Sequence, residues 1–115
     1  MKIGIDIIDV KRIAKLIKNK RFLDRVYTRE EVKYCMPKAN KAQHFAVRFS
    51  TKEAVWKALG EKNIGHRDIG VKNMADGRPV VLIKGKPRKD IAISLSHTDD
   101  YATAVAVVAN SKFKI

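Results

Sequence analysis

A long helical segment in the middle of the chain constrains the fold more than any other feature of the sequence. From about residue 40 to residue 59 the apolar residues recur at helical spacing, with Phe45, Phe49 and Trp56 on one side. Gly60 follows where such a helix would end, because glycine adopts the left-handed conformation of a helix C-cap at little cost. The sequence therefore predicts one long helix over these residues.

The residues ahead of this helix predict a strand followed by a shorter helix. Residues 2–8 form an isoleucine-rich run typical of a strand, and Ile3, Ile5 and Ile7 fall on one face of it. Asp9 can cap the helix that follows. That helix has an apolar stripe at helical spacing, formed by Val10, Ile13, Leu16 and Ile17.

Cap and turn signals divide the remainder of the chain. Thr28 and Glu31 make a capping box that predicts a short helix, which Pro37 ends or separates from the next. After the long helix, two pairs of strand-like segments each enclose a turn. They are residues 69–74 with 79–83 around Asp76-Gly77, and residues 91–95 with 101–109. This order of elements is typical of an α+β fold. We expect one compact domain over residues 1–115, with an antiparallel sheet packed against the long helix.

Charge and cysteine content limit the partners and the compartment. The 115-residue chain has a net charge of +13, which attracts acidic partners: nucleic acid, an anionic membrane, a polyphosphate ligand or an acidic protein. Cys35 is the only cysteine, so no internal disulfide forms, and this suits a reducing cytoplasm. Asp6 and Asp9 interrupt the apolar run at the amino terminus, so we expect no signal peptide there. No stretch approaches the ~20 apolar residues of a membrane span.

Two carboxylates occupy apolar surroundings in the sequence. Asp6 lies inside the isoleucine-rich strand, and Glu53 falls in the apolar sector of the long helix. Burying a lone carboxylate is costly, so each needs a cation, hydrogen bonds or a metal. One interpretation is a solvated pair between Glu53 and Lys57, one helical turn on. The other is a Mg²⁺ ion held by both acids and completed by substrate phosphates, with Lys57 facing the same phosphates.

Several motifs in sequence order carry a family resemblance. The most specific is RFSTKEAVWKALG at residues 48–60. Shorter matches are IGIDI at residues 3–7, KRI at 11–13, RF with Arg25 at 21–25, the Thr-Glu pair at 28–31, DGRP at 76–79 and SLSHT at 94–98, followed by Tyr101-Ala102. Together they resemble the holo-[acyl-carrier-protein] synthases, the small class of phosphopantetheinyl transferases. One departure is Gly60-Glu61-Lys62, where the family usually has Gly-Thr-Gly.

The resemblance implies a magnesium-dependent transferase that supports fatty acid biosynthesis. Such an enzyme moves 4'-phosphopantetheine from coenzyme A to a serine of apo acyl carrier protein and releases 3',5'-ADP. It implies that Asp6 and Glu53 are the metal ligands and that Lys57 acts with them in catalysis. The neighbouring Lys52 is expected to be solvated.

The resemblance also assigns binding residues and an assembly. Coenzyme A would be bound by Arg48, Lys57, Gly60, His97 and Thr98. The acidic carrier protein would dock on Arg12, Arg21 and Arg25, although charged helix faces are often only solvated. The family is homotrimeric with active sites between subunits. The alternative is a basic nucleic-acid-binding module, which explains the charge but leaves Asp6 and Glu53 without a role; a basic structural subunit of a larger assembly is a third.

Overall fold

The structure is a computed structural model that describes residues 1–109, so residues 110–115 of the expected domain lie outside the described residues. The helices are α1 (Val10–Leu16), α2 (Lys20–Val26), α3 (Arg29–Cys35) and α4 (Lys41–Leu59). The strands are β1 (Lys2–Asp9), β2 (Ile69–Asn73), β3 (Pro79–Ile83), β4 (Lys86–Pro87), β5 (Ile91–His97) and β6 (Tyr101–Val108). A 3₁₀ turn over His66–Asp68 leads into β2. The α+β prediction is confirmed.

The strands described between residues 1 and 109 form two antiparallel sheets. One has the order β1-β6-β5 and the other has the order β2-β3-β4. In the first sheet, Ala104 of β6 pairs with Asp6 on one side and with Leu95 on the other. Partners directly opposite each other point to the same face of a sheet. Helix α4 packs on this face, against β1 and β6.

The contact between β1 and α4 is unusually close. A Cβ atom built on Gly4 would lie 1.9 Å from the carbonyl oxygen of Ala54 and 2.9 Å from the amide nitrogen of Ala58. Small residues also line the facing strand, where Ala104 and Ala106 are fully buried. The backbone of β1 therefore lies directly against the backbone of α4, which fixes the height of each β1 residue along the helix.

A second apolar cluster holds the short helices against the first half of α4. Tyr27, which is 1% exposed, stacks edge-on against Phe45 with ring centroids 4.8 Å apart. Its hydroxyl donates to the carbonyl of Phe45 at 2.9 Å. Ile13 and Cys35 are fully buried in the same cluster. Burial raises the pKa of the Cys35 thiol to about 11, so this cysteine is a packing residue at neutral pH.

The caps predicted from sequence are present. The Asp9 side chain accepts a hydrogen bond from the amide of Lys11 at 2.9 Å. Thr28 and Glu31 form both bonds of the capping box, at 2.8 and 3.2 Å. Gly60 ends α4 in the left-handed conformation, with φ of 63°. The predicted boundaries of the long helix and both hairpins agree with the structure within two residues.

The isoleucine face of β1 is the open face of the sheet. Ile3, Ile5 and Ile7 are each 64–67% exposed, whereas Gly4 and Ile8 on the other face are buried beneath α4. The same open face carries Val105 and Val107 of β6, both half-buried. An apolar sheet face left in water is typical of a surface that another protein covers.

Lys52 lies in the core, so the expectation that it is solvated is wrong. Its side chain is fully buried and its Nζ lies 2.6 Å from Oε1 of Glu31. The Nζ also donates to the carbonyls of His66, at 3.1 Å, and of Ile69. Burial lowers the pKa of Lys52, and the Glu31 charge opposes that shift. The long apolar stem of lysine crosses the core, and its charged end finds partners on three segments.

We predict that Gly4→Ala destabilises the protein at the upper end of the ~1–3 kcal/mol typical of overpacking, because backbone atoms of α4 cannot move aside. Urea denaturation measures the change. Gly70→Ala is the matched control, since its Cβ would meet Leu82 Cβ at an ordinary 3.6 Å. Equal stability of the two variants would contradict the close β1–α4 contact.

Candidate active site

Asp6 lies where β1 crosses α4 and is anchored from both sides. Its backbone carbonyl accepts hydrogen bonds from Oγ of Ser50 at 3.1 Å and from Oγ1 of Thr103 at 2.8 Å. Its side chain is 15% exposed, and Oδ1 lies 3.5 Å from Nζ of Lys57. Lys57 also donates to the carbonyl of Ile5 at 3.1 Å. The strand and the helix thus bring Asp6 and Lys57 together, as the sequence predicts.

Glu53 projects from α4 one turn before Lys57 and is paired with a histidine. Its Oε1 lies 3.0 Å from Nε2 of His66, and the Glu53 side chain is 25% exposed. The imidazole of His66 is nearly parallel to the rings of Phe49 and Trp56, with centroids 5.9 and 6.1 Å away. Glu53 therefore does lie in the aromatic sector of the helix that the sequence indicated.

The solvated pair between Glu53 and Lys57 is not the arrangement in the structure. Lys57 contacts Asp6, and Glu53 contacts His66. The two carboxylates are nevertheless close enough for the charge of Glu53 to raise the pKa of Asp6. Two acids and a lysine from β1 and α4 therefore form one cluster, which we call the acid cluster: Asp6, Glu53 and Lys57.

The carboxylate of Asp6 is only partly satisfied within residues 1–109. Its Oδ2 is buried and has no hydrogen-bond partner among these residues. Burial raises the pKa of Asp6 above its ordinary value of 3.8, while Lys57 and Ser50 lower it and Glu53 raises it again. A buried carboxylate oxygen without a partner is costly, and a cation at this point would relieve both that cost and the repulsion from Glu53.

The acid cluster fits a hard divalent cation that takes further ligands from a substrate. Magnesium is typically bound by one or two carboxylates together with substrate phosphates and water. Among residues 1–109 no group of three or more His, Cys, Asp or Glu side chains is placed to hold a metal ion. Asp6 and Glu53 could therefore bind magnesium only as a partial site, open to phosphate oxygens.

A second cluster, which is basic, lies nearer the start of α4. Arg48 is 6% exposed and stacks over the ring of Tyr34 at 4.6 Å. Its Nε is buried without a hydrogen-bond partner in the described part of the chain. Burial lowers the pKa of His44, and the charges of Arg48, Lys38 and His97 lower it further. We call Lys38, His44, Arg48 and His97 the basic cluster, in which the cations of Lys38 and Arg48 can attract an anion.

The cavity beside Arg48 does not include the acid cluster. Arg48 lines a cavity of about 490 Å³ between α3 and the β2–β3 hairpin, together with Tyr34 and Lys72. Neither Asp6, Glu53 nor Lys57 lines it. Of the residues expected to bind coenzyme A, Arg48 lines this cavity, whereas Lys57 belongs to the acid cluster.

Comparison with known proteins identifies the family. The model of the 4'-phosphopantetheinyl transferase superfamily matches residues 2–106. The holo-[acyl-carrier-protein] synthase of Thermodesulfovibrio yellowstonii is 42% identical over 109 residues, covering 92% of this chain and 96% of that protein. This chain belongs to the holo-[acyl-carrier-protein] synthase family.

Solved structures of holo-[acyl-carrier-protein] synthases share the fold. The enzyme of Bacillus anthracis, in complex with CoA (3',5'-ADP), has a TM-score of 0.79 at 31% identity and covers 93% of this chain and 94% of its own. The enzyme of Helicobacter pylori, in complex with coenzyme A, has a TM-score of 0.78 at 30% identity and covers 93% of this chain and 99% of its own. The resemblance seen in the sequence is confirmed.

Two further residues expected to bind coenzyme A in this family have structural roles here. Thr98 closes the β5–β6 hairpin, where its Oγ1 accepts from the amides of Asp100 at 3.2 Å and Tyr101 at 3.0 Å. Gly60 caps α4 and begins the loop that contains Glu61-Lys62. Trp56 anchors the end of that loop, since its Nε1 donates to the carbonyl of Ile64 at 3.1 Å.

The arginines expected to meet the carrier protein lie on the short helices of this synthase-family fold. Arg12 is exposed on α1, and Arg21 and Arg25 are exposed on α2. Exposure alone agrees equally with a solvated face. No helix in the described part of the chain is long and apolar enough to cross a membrane.

Sequence reasoning missed two histidines of the site. His44 precedes Arg48 by one helical turn, so its position on the same face of α4 could have indicated it. His66 has no such signal, because it lies 13 residues from Glu53 and reaches it only through the turn after α4.

We predict that Asp6→Asn raises the melting temperature of the metal-free protein at pH 7, because it removes a charge that burial disfavours. Each ~1 kcal/mol gained corresponds to roughly 4 °C in a domain of this size. The folded state binds a proton on Asp6 more readily than the unfolded chain does. The ionised carboxylate therefore destabilises the fold above its raised pKa, and this cost disappears as the pH falls through that pKa towards 3.8.

Scanning calorimetry in EDTA between pH 4 and pH 8 measures this gain, which should shrink in acid. Asp24→Asn is the control, because Asp24 is exposed on α2 and should show no change. A lower melting temperature for Asp6→Asn at pH 7 would mean that the pairing with Lys57 outweighs the cost of burial.

Proposed function

We propose that this protein transfers 4'-phosphopantetheine from coenzyme A to a serine of apo acyl carrier protein, with release of 3',5'-ADP. The serine oxygen bonds to the β-phosphorus, the bond from that phosphorus to the ADP oxygen breaks, and the serine proton is released. The observation that carries the proposal is the meeting of Asp6, Glu53 and Lys57 in a chain 42% identical to a holo-[acyl-carrier-protein] synthase. The reaction would support fatty acid biosynthesis in the cytoplasm.

The acid cluster would hold magnesium through Asp6 and Glu53. Oδ2 of Asp6 has no hydrogen-bond partner among residues 1–109, which supports this assignment, since the oxygen is otherwise buried at a cost. When bound, magnesium supplies positive charge that stabilises the pyrophosphate as charge builds on the leaving group. Lys57 is 47% exposed beside Asp6 and can donate to the same phosphate oxygens.

The basic cluster would hold the 3'-phosphate of coenzyme A. Nε of Arg48 is buried without a hydrogen-bond partner in the described part of the chain, and an arginine can present two parallel donors to a phosphate. His97 and Thr98 lie at the end of β5 near His44, so they would border the same phosphate. Gly60 would lie beside the pyrophosphate at the end of α4. These residues bind and orient the substrate and take no part in bond breaking.

We infer a homotrimer in which a neighbouring subunit completes each active site. Coenzyme A must reach both the acid cluster and the basic cluster, and the cavity that Arg48 lines in one chain includes no residue of the acid cluster. The open face of β1 gives a second reason. Its side chains Ile3, Ile5 and Ile7 are 64–67% exposed in the single chain, and an exposed apolar face of this kind is typical of an interface. A neighbouring subunit on that face would bury the isoleucines. The same contact would bring the basic cluster of one subunit towards the acid cluster of the other.

The test of the function is the mass of the carrier protein. Purified protein is mixed with magnesium, coenzyme A and an apo acyl carrier protein, and mass spectrometry should show the phosphopantetheine increment on the carrier. EDTA should abolish the increment, and magnesium should restore it. No increment with several carriers, together with tight DNA binding, would favour the nucleic-acid-binding alternative.

Glu53→Ala should abolish this transfer and leave the fold intact, because it removes a metal ligand that is a quarter exposed rather than core volume. The far-ultraviolet circular dichroism spectrum checks the fold, and single-turnover kinetics measure the transfer. Asp76→Ala, at an exposed acid in the β2–β3 turn, is the control and should transfer normally. Unchanged turnover in Glu53→Ala would remove the basis for the metal site.

Arg12→Glu should raise the KM for the carrier protein and leave the binding of coenzyme A unchanged. Arg12, Arg21 and Arg25 are exposed on α1 and α2, where they would steer and dock an acidic helix of the carrier. Steady-state kinetics with each substrate varied in turn separate the two effects. Equal damage to both substrates would show that this face does not serve the carrier alone.

A further inference from the structure

His66 is held in place by three independent contacts. Its carbonyl accepts a hydrogen bond from the buried Nζ of Lys52 at 3.1 Å, and that Nζ is fixed by Glu31 at 2.6 Å. The imidazole lies nearly parallel to Phe49, at an interplanar angle of 18°, and to Trp56, at 24°. The main chain and the ring of His66 are therefore both fixed from α4.

The ring so placed meets one oxygen of Glu53. Nε2 of His66 lies 3.0 Å from Oε1, and the two side chains are 27% and 25% exposed. A carboxylate oxygen only accepts hydrogen bonds, so Nε2 is the donor and Oε1 is the acceptor. The side chain of Glu53 is flexible, and the hydrogen bond to His66 restricts the rotation of its carboxylate. Oε2 of Glu53 remains outside this hydrogen bond.

Glu31 connects this arrangement to the fold. Its carboxylate caps α3 through the amide of Thr28, pairs with Lys52 and accepts from the amide of Val71 at 3.0 Å. Lys52 in turn binds the carbonyls of His66 and Ile69. The turn that carries His66 is thus tied to α3, α4 and β2 through one buried ion pair.

We propose that His66 is a positioning residue. It orients the carboxylate of Glu53 towards the divalent cation that Glu53 would share with Asp6. The inference rests on the proposed metal site. Hydrogen bonds to metal-binding carboxylates orient them, and their loss typically weakens metal binding about 10- to 100-fold. The signature KEAVWKALG names Glu53 and Lys57 as functional residues; the structure adds a residue from outside that segment.

Three substitutions separate the hydrogen bond from the packing of the ring. His66→Phe keeps an aromatic ring against Phe49 and Trp56 and removes the donor. His66→Gln loses the ring and keeps a donor at nearly the distance of Nε2. His66→Asn is also a donor, but its shorter side chain does not reach Oε1.

The readout is the dissociation constant of Mn²⁺ for the protein, measured by electron paramagnetic resonance with and without coenzyme A. We expect His66→Phe and His66→Asn to weaken binding about tenfold or more, and His66→Gln to remain within about threefold of the unsubstituted protein. Glu53→Ala marks the loss of a ligand. Melting temperatures of all variants show which are folded, and His66→Asn replaces His66→Phe if the latter does not fold.

Two outcomes overturn this inference alone. Mn²⁺ binding by His66→Phe within about twofold of the unsubstituted protein would show that the donor is not needed. Equal weakening in His66→Phe and His66→Gln would assign the effect to packing.

If the unsubstituted protein bound no Mn²⁺ in either condition, the proposed metal site would fall and this inference with it. If it bound Mn²⁺ with the expected order of variants but transferred no phosphopantetheine, only the proposed function would fall.

Discussion

The backbone contact between β1 and α4 is the constraint on which the rest of the structure depends. Gly4 allows the strand to approach so closely that the carbonyl of Ala54 occupies the place of a side chain. Asp6 is two residues further along the strand and consequently faces the helix at the level of Ser50 and Lys57. The geometry of the acid cluster is therefore set by close main-chain packing.

A buried ion pair and a buried carboxylate lie in the interior for different reasons. Lys52 and Glu31 form a buried pair whose remaining hydrogen-bonding capacity is used by main-chain groups of three segments, so the pair contributes to the specificity of the fold. Asp6 has a weak contact with Lys57 at 3.5 Å and an oxygen without a partner in the described residues. A satisfied pair is expected of a structural element, whereas an unsatisfied carboxylate is expected where a ligand completes the site.

Most of the fold could be predicted from the sequence because its signals are local. The capping box at Thr28 and Glu31, the glycine after the long helix and the Asp76-Gly77 turn each act within a few residues. The roles of Lys52 and His66 could not be predicted in this way. On α4, Lys52 has both exposed and buried residues as neighbours, so helical spacing does not show whether its side chain is buried. The positions of α3 and β2 show that it is.

The sequence by itself determined the order of the main elements, the family and the two acids of the candidate site, because periodicity, caps and motif spacing are properties of neighbouring residues. The short elements α2 and β4 were not predicted. The tertiary structure decided which face of β1 is covered, and it placed the isoleucines outside and Asp6 beneath α4. It also decided that Glu53 meets His66 and that the cavity lined by Arg48 includes no residue of the acid cluster. These are contacts between distant segments, and their geometry follows from how closely whole elements pack, which no local pattern records.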